Sequence, residues 1–593
     1  MLEQTWRTSP SAVALTDSRQ SLTRGQLNAR VRQLTGELSA AGVRHGDIVA
    51  VYIERSVELV LAQLAILFAG AVHVAIDPDD PPRRLEHILD DCAPVVVVCS
   101  PTLAERVPPQ HLVHLVNDPS ATTATISPGK PPRPVEGADG AYLIYTSGTT
   151  GDPKASLITH AGLASRLRWL QEFCPMSPSD VVLYKTACGF DVSVAELYWT
   201  LTAGGRLFCA RPGAQRDTDY LADVLVEQGV TILHYVPSLL DLFLASRPEQ
   251  ERYDSVRYLL AGGEALSPDL ARRWQARSTG LLINLYGPSE CSVYTTAWKC
   301  PPLAGGQRVL IGEAVAETGL WVLDANFEPI IDLNSPGELY VSGVGLARGY
   351  LGRSDLTAAR FLNLSELNHR LPAVRAYRTG DLVAWAEPGR LDFRGRADRQ
   401  VKIRGHRIEP GEIEAAAGGL PGVAQCVVAA RGGDYGTELL LFVVAADRVD
   451  VPDELVGAVR MALAAQLPPY MQPRRVLLVT EVPLSPNGKL DEPALLALAE
   501  HTGDAGAIPP SQAEVVHGRL PLETWWTALL NTPATDDSDF FLSGGDSFVA
   551  VRLMKEISAA AGRRVPIKLL FAHPVLGDFR KEVEAYLAAT SQV

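Results

Sequence analysis

An α/β protein with an all-helical C-terminal piece is what the sequence predicts, and three observations predict it. Short apolar runs alternate with helix-length segments from the N-terminus to Glu290, the pattern of a largely parallel sheet covered on both faces. From about Gly337 the texture changes to glycine-rich β segments, followed by a smaller α+β unit. Beyond a Gly, Ala, Pro and Ser stretch that reads as a linker, residues 513–593 are mostly helical. The 593 residues are too many for one core, so several domains are expected. The divisions fall at 1–397 for a large N-terminal unit, 398–499 for a small one, 500–512 for the linker and 513–593 for the last.

The elements follow in order. Leu27, Val31, Leu34 and Leu38 recur at helical spacing within residues 22–41. Ile48 to Ile53 reads as a buried strand, Val57 to Ala69 as a helix, and Val72 to Ile76 and Val95 to Cys99 as strands. A Pro-, Gly- and Thr-rich loop over 118–139 leads to the apolar run Ala141–Tyr145. A helix is expected over Ala161–Glu172, then strands at Thr231–Tyr235, Tyr258–Ala261 and Leu282–Leu285, each giving way to a polar loop. In open α/β sheets, ligand sites gather at such carboxyl ends.

Composition narrows the function. Net charge is −14, from 54 basic and 68 acidic residues, which argues against nucleic acid as the main partner. The eight cysteines include no C-x-x-C pair, fitting a reducing cytoplasmic location rather than a zinc site or disulfide framework. The first ten residues carry no signal-peptide pattern, and no apolar run reaches membrane-spanning length, so no membrane partner is expected.

The stretch that organises the chain is Tyr145-Thr146-Ser147-Gly148-Thr149-Thr150-Gly151-Asp152-Pro153-Lys154. Glycines let backbone N–H groups approach an anion, hydroxyls add donors, and Lys154 adds charge, so the loop suits phosphate. No Gly-Lys-Ser/Thr is present, so it is not a Walker loop. A plain Ser/Thr/Gly turn is the alternative for the stretch taken alone.

Further runs stand in order: Ala75–Pro78, Phe190–Glu196, Tyr286–Glu290, Gly337–Tyr350, Tyr377–Leu382, Arg394–Glu414, Leu467–Pro473 and Pro486–Leu490. With these the chain resembles an adenylation domain of a nonribosomal peptide synthetase, of the adenylate-forming superfamily, followed by a peptidyl carrier domain. The resemblance covers nearly every residue. Two departures are small: Ala155 and Ser543 stand where the family usually has Gly.

The resemblance implies two half-reactions: an amino-acid carboxylate attacks the α-phosphorus of ATP, and a thiol then takes the aminoacyl group as AMP leaves. It implies that Thr146, Ser147, Gly148, Thr149, Thr150, Gly151 and Lys154 embrace the β- and γ-phosphates. Tyr286 would pack on adenine, Asp381 accept from the ribose hydroxyls, Arg396 reach the ribose or phosphate side, and Glu290 hold Mg2+, a hard cation suited to a carboxylate. Lys489 would be the catalytic cation bridging substrate carboxylate and α-phosphate. Asp398 would be the hinge that carries Lys489 in and out, and Gly405 with its neighbours would swing in for the second half.

By the same resemblance, Asp191 pairs with the substrate ammonium, and Val192, Ala195, His234, Leu260, Gly262, Leu285, Val293 and Tyr294 line the side-chain pocket. That lining is apolar with one histidine and one tyrosine, and similar pockets set the histidine against a phenol. Ala195 leaves room for a longer side chain, so L-tyrosine or a related phenolic amino acid is expected; the alternative is that His234 packs structurally and the substrate has another large side chain, such as Trp, Phe or Leu. Ser547, in Gly544-Gly545-Asp546-Ser547, would carry 4'-phosphopantetheine, installed by a phosphopantetheinyl transferase. Neither His-His-x-x-x-Asp nor Gly-x-Ser-x-Gly occurs, so a tailoring enzyme or downstream synthase is expected to use the loaded carrier in secondary-metabolite, for instance antibiotic, biosynthesis. Many adenylation domains also need a small MbtH-like helper, a point the residues leave open. An acyl-CoA synthetase-like ligase and a non-catalytic carrier scaffold are the alternatives. Asp191 and Ser547 argue against the first; Lys154, Glu290, Asp381 and Lys489 argue against the second.

Overall fold

The computed structural model describes residues 1–116, 134–148, 152–433, 436–446, 452–484, 490–501, 520–530, 533–541, 543, 545 and 547–589. The large unit holds two largely parallel sheets where one was expected, besides an antiparallel one. The first has nine strands, and its six central ones are parallel: Leu281–Tyr286, Tyr258–Gly262, Ile232–Tyr235, Val181–Tyr184, Arg206–Cys209 and Val13–Thr16. The second has six, in the order Val113–Leu115, Val96–Cys99, Ile48–Tyr52, Val72–Ala75, Gly140–Thr146 and Lys154–Thr159, antiparallel only at the last pair.

Burial explains how the sheets are joined. Helix Val57–Phe68 is apolar except for Glu58 and Gln63, and 11 of its 12 residues are buried. A helix without a polar face must be covered on every side. It shares one core with Asp191–Ala203 and with strands of both sheets, and so forms the layer between them. The outer face of the nine-stranded sheet packs on Leu221, Leu240, Phe243 and Trp274. That of the six-stranded sheet packs on Leu85, Ile88 and Leu89 of helix Pro82–Cys92. A five-stranded antiparallel sheet follows, in which Asp381 and Arg396 are cross-strand partners.

The small unit pairs Val401–Ile403 with His406–Ile408 as a hairpin. It continues into helix Pro410–Gly418 and a three-stranded sheet. Four helices, Leu522–Leu530, Ser547–Ala560, Lys568–Ala572 and Leu576–Ala589, close around Trp526, Phe540, Leu553 and Phe579 in the last unit. Its Arg564 forms an ion pair with Asp219 of the large unit, whose carboxylate also meets Arg247 at 3.3 Å. Seven of the eight cysteines are buried, the exception being the half-buried Cys426, and none is in a disulfide. Among the described residues no helix is long and apolar enough to cross a membrane.

Candidate functional site

The site lies where strands of the two sheets end and the small unit's hairpin docks. Thr146 and Ser147, at the end of their strand, line one cavity with Asp191, Asp381 and Arg396. Val192, Leu285, Val293 and Tyr294 line the same cavity. Thr149, Thr150, Gly151 and Lys489 lie outside the described residues.

Lys154 is buried, its ammonium 4.8 Å from the centre of the Tyr350 ring. Burial first, then the nearby Arg407 cation, push its pKa down to about 8, against the pull of Glu290. Glu290 is fully buried and accepts from Tyr350 Oη at 2.8 Å. Burial would raise its carboxyl, but Arg407 and Lys154 outweigh burial and bring it down to about 2. An ionised carboxylate beside a lysine suits a divalent cation whose other ligands are phosphate oxygens. Thr146 Oγ1, buried with no hydrogen-bond partner among the described residues, adds an unused polar group. These residues therefore fit Mg2+ bound with a polyphosphate, while no group of three or more protein ligands stands ready among the described residues.

Tyr286 Oη donates to Asp381 at 2.5 Å, and Arg396 Nη1 meets the other oxygen of that carboxylate at 2.6 Å. Arg396 also grips Asp398 through Nε at 2.6 Å and Nη2 at 2.8 Å. The expected nucleotide residues and the expected hinge thus form one network. The Lys402 ammonium sits 5.3 Å from the centre of the Tyr286 ring.

Asp191 opens its helix, accepts hydrogen bonds from Ser289 and from the Val192 amide, and has its pKa raised to about 6 chiefly by burial. His234, Leu260 and Ile283 are aligned across three parallel strands, as are Gly262 and Leu285, so all five share a sheet face. A Cβ on Gly262 would meet the Leu285 carbonyl oxygen at 2.9 Å. Val293 is held at φ 72°, costly for a β-branched residue, in the turn that presents Tyr294. Ala195, His234, Leu260 and Gly262 are buried and do not line the cavity as it stands. His234 reaches it through Tyr294, whose ring stacks on its own at 6.5 Å. His234 Nε2 is buried without a hydrogen-bond partner among the described residues. Burial, then Lys185, hold this imidazole neutral with a pKa of about 3.

The hairpin turn around Gly405 fits the cavity mouth closely. The Gly405 amide donates to Glu264 at 3.1 Å. Gly405 has φ 81°, and a Cβ there would lie 2.4 Å from Val236. Only glycine tolerates both conditions. His406 lies edge-on to Phe190 at 4.2 Å. Arg407 reaches Glu290 with Nη1 3.1 Å from each carboxylate oxygen. Ser147 donates to the Arg407 carbonyl at 2.5 Å. Sequence reasoning assigned no role to Lys402, Arg407 or Glu412; the only sign was the density of Arg and Gly over 389–411.

Ser547 begins its helix, with its side chain outside the described part. A Cβ on Gly545 would clash with Phe540 at 2.4 Å, so Gly545 lies directly on that ring.

Residues 2–351 match the AMP-binding enzyme family model. The chain belongs to the AMP-binding enzymes. Residues 412–489 match the C-terminal domain of these enzymes, and residues 522–583 match the phosphopantetheine attachment site. The chain is 41% identical over 595 residues to phosphinothricin tripeptide synthetase PhsB of Streptomyces viridochromogenes, covering 98% of this chain and 48% of that one. It is 37% identical to enterobactin synthase component F of Escherichia coli, covering 94% and 43%. The solved structure of holo-PA1221, an NRPS protein containing adenylation and PCP domains bound to a vinylsulfonamide inhibitor, aligns with TM-score 0.81 at 27% identity, covering 98% of this chain and 96% of that one. This AMP-binding enzyme is therefore an adenylation domain of the nonribosomal peptide synthetase type joined to a carrier domain. It spans about half the length of the curated relatives it matches.

Proposed function

We propose that this chain activates an amino acid with ATP as aminoacyl-AMP and loads it onto its own carrier, and that the amino acid is L-tyrosine or a related phenol. The observation that carries the reading is the buried Asp191 carboxylate, in one cavity with the Thr146–Ser147 loop and Asp381. A buried anion beside a phosphate loop suits a substrate bearing an ammonium next to the carboxylate to be activated. The unpartnered His234 Nε2 supports a substrate hydroxyl, and the small Ala195 side chain supports a long one on the substrate.

The residues take these tasks. Lys154 and the loop balance phosphate charge, and Glu290 would hold Mg2+, which supplies further charge balance when bound. Asp381 and Arg396 orient the ribose side. Lys489 neutralises charge as the new bond forms, and Asp398 is the hinge. The docked Gly405 turn supports a role for this arrangement in the second half-reaction. Phosphopantetheine on Ser547 would supply a thiol on a long arm. A phosphopantetheinyl transferase is then a required partner, with a tailoring enzyme or synthase acting on the loaded carrier, and an MbtH-like helper as a further candidate.

The test is ATP–pyrophosphate exchange across the amino acids, followed by intact-mass measurement of the pantetheinylated chain after loading. Exchange stimulated by tyrosine and the matching mass gain are expected. Exchange independent of any amino acid would refute activation, and a different added mass would refute the phenol.

A further inference from the structure

A buried polar cluster with no task so far lies in the layer between the two parallel sheets. In strand Val72–Ala75, Val72 and Val74 face the outer helix Pro82–Cys92, so His73 faces inward. Its ring stacks on that of Tyr142, its partner on the neighbouring strand, with centroids 5.8 Å apart. Its Nε2 lies 3.0 Å from Oη of Tyr198, on helix Asp191–Ala203. All three side chains are buried. Burial, then His160, hold the imidazole neutral, with a pKa of about 3. A neutral ring has one N–H and one acceptor nitrogen, so whichever side donates to form the bond with Tyr198, Nδ1 is left over. Nδ1 and the Tyr142 hydroxyl have no hydrogen-bond partner among the described residues.

Unpartnered polar groups are costly in a core. What this cluster supplies in return is direction. Apolar burial is non-directional, whereas a hydrogen bond holds two atoms near one distance and angle. Among the described residues, the bond between His73 and Tyr198 is the one hydrogen bond between helix Asp191–Ala203 and the six-stranded sheet. The elements that meet at His73 each run into the site. The helix begins with Asp191, about two turns before Tyr198. Strand Val72–Ala75 leads to Ala75 and Asp77 on the cavity wall, and the strand of Tyr142 leads to Thr146 and Ser147. The expected ammonium contact thus rides on the helix and the expected phosphate contacts ride on the sheet.

We propose that His73 is a positioning residue, whose bond to Tyr198 sets the placement of the Asp191 carboxylate relative to the Thr146–Ser147 loop. This rests on the adenylation reading above and names a residue that aligns the two bound substrates. His73 does not line the cavity, so it touches neither substrate. It leaves the affinity for each substrate alone unchanged and acts on their mutual placement, to which reaction rate is steeply sensitive.

The experiment compares the full chain as wild type, His73→Leu, His73→Gln, Tyr198→Phe and the double variant His73→Leu with Tyr198→Phe. Calorimetry reads the dissociation constants of MgATP and of the preferred amino acid, each titrated alone. Rapid quench reads the single-turnover rate of adenylate formation with both saturating. A misplacement of about 1 Å costs about a hundredfold in rate, so a shift of a few tenths of an ångström should cost about tenfold. That loss is expected in His73→Leu and in Tyr198→Phe, with both dissociation constants within about twofold of wild type. The double variant should be no slower than either single one, because both remove the same bond. His73→Gln, whose side-chain amide replaces Nε2 as the partner of Tyr198, should recover most of the rate. An unchanged rate in both single variants would overturn the proposal. So would multiplying losses in the double variant, or a loss that appears as weaker binding of either substrate, which is what general loosening of the core gives. Should His73→Leu fail to fold, Tyr198→Phe, which removes a single oxygen, decides by the same criteria. A wild type that forms no amino-acid-dependent adenylate would instead overturn the adenylation reading itself.

Discussion

Replacing His234 with leucine should abolish discrimination between tyrosine and phenylalanine. The imidazole is buried, its Nε2 has no partner among the described residues, and it stays neutral because burial and Lys185 hold its pKa near 3. A neutral ring can present either a donor or an acceptor to a phenol. With phenylalanine bound, that nitrogen stays unsatisfied, at a cost of about 1–3 kcal/mol. At 1.4 kcal/mol per tenfold, the wild type should favour tyrosine by roughly 5- to 150-fold in kcat/KM. In His234→Leu the unsatisfied group is gone, so phenylalanine should gain and the ratio should approach one. The assay is amino-acid-dependent pyrophosphate exchange with both substrates on both proteins. A wild type that treats the two alike, or a variant that keeps the wild-type ratio, would refute the hydrogen bond.

Four further outcomes are expected. The depressed His234 pKa means that the unfolded chain binds more protons than the folded one between pH 6.5 and about 3. Wild-type stability relative to His234→Leu should therefore fall by about 2 kcal/mol from pH 7.5 to pH 5, read from urea unfolding at each pH. Reversing Arg564 to glutamate should slow loading of the carrier severalfold, as an exposed pair worth about 1 kcal/mol allows, and adding Asp219→Arg should restore it in single-turnover loading. Lys489→Ala should reduce adenylate formation by about 10²–10³-fold, as removal of a transition-state charge partner does, measured by pyrophosphate release. Ser547→Ala should remove the mass gain that the native chain shows with a phosphopantetheinyl transferase and coenzyme A.

Much of the architecture was legible because it is local. Helix Val57–Phe68 and strand Ile232–Tyr235 fall within a residue of where their patterns place them. The division into two sheets was not legible, because sheet membership depends on how strands cross over. Ile48–Tyr52 and Val181–Tyr184 are equally apolar runs, yet they belong to different sheets. Of the site, the phosphate loop and Asp191 could be read from motif and order. Arg407 could not, since its partner Glu290 lies 117 positions away and the contact exists only when two units meet. Buried charges hide for a similar reason: Glu412 sits in the first turn of a helix, where an acidic residue ordinarily faces water.

The distribution of sulfur has a practical corollary. Burial raises the pKa of every cysteine, to about 11 at Cys426, to about 12 at Cys92, Cys99, Cys174 and Cys300, and further at Cys188, Cys209 and Cys291. None of these side chains offers a thiolate near neutral pH, so none competes for an activated acyl group or for a reagent that seeks one. A maleimide or haloacetamide given to the pantetheinylated chain should mark the carrier arm almost alone, turning that arm into an addressable handle for following where it travels.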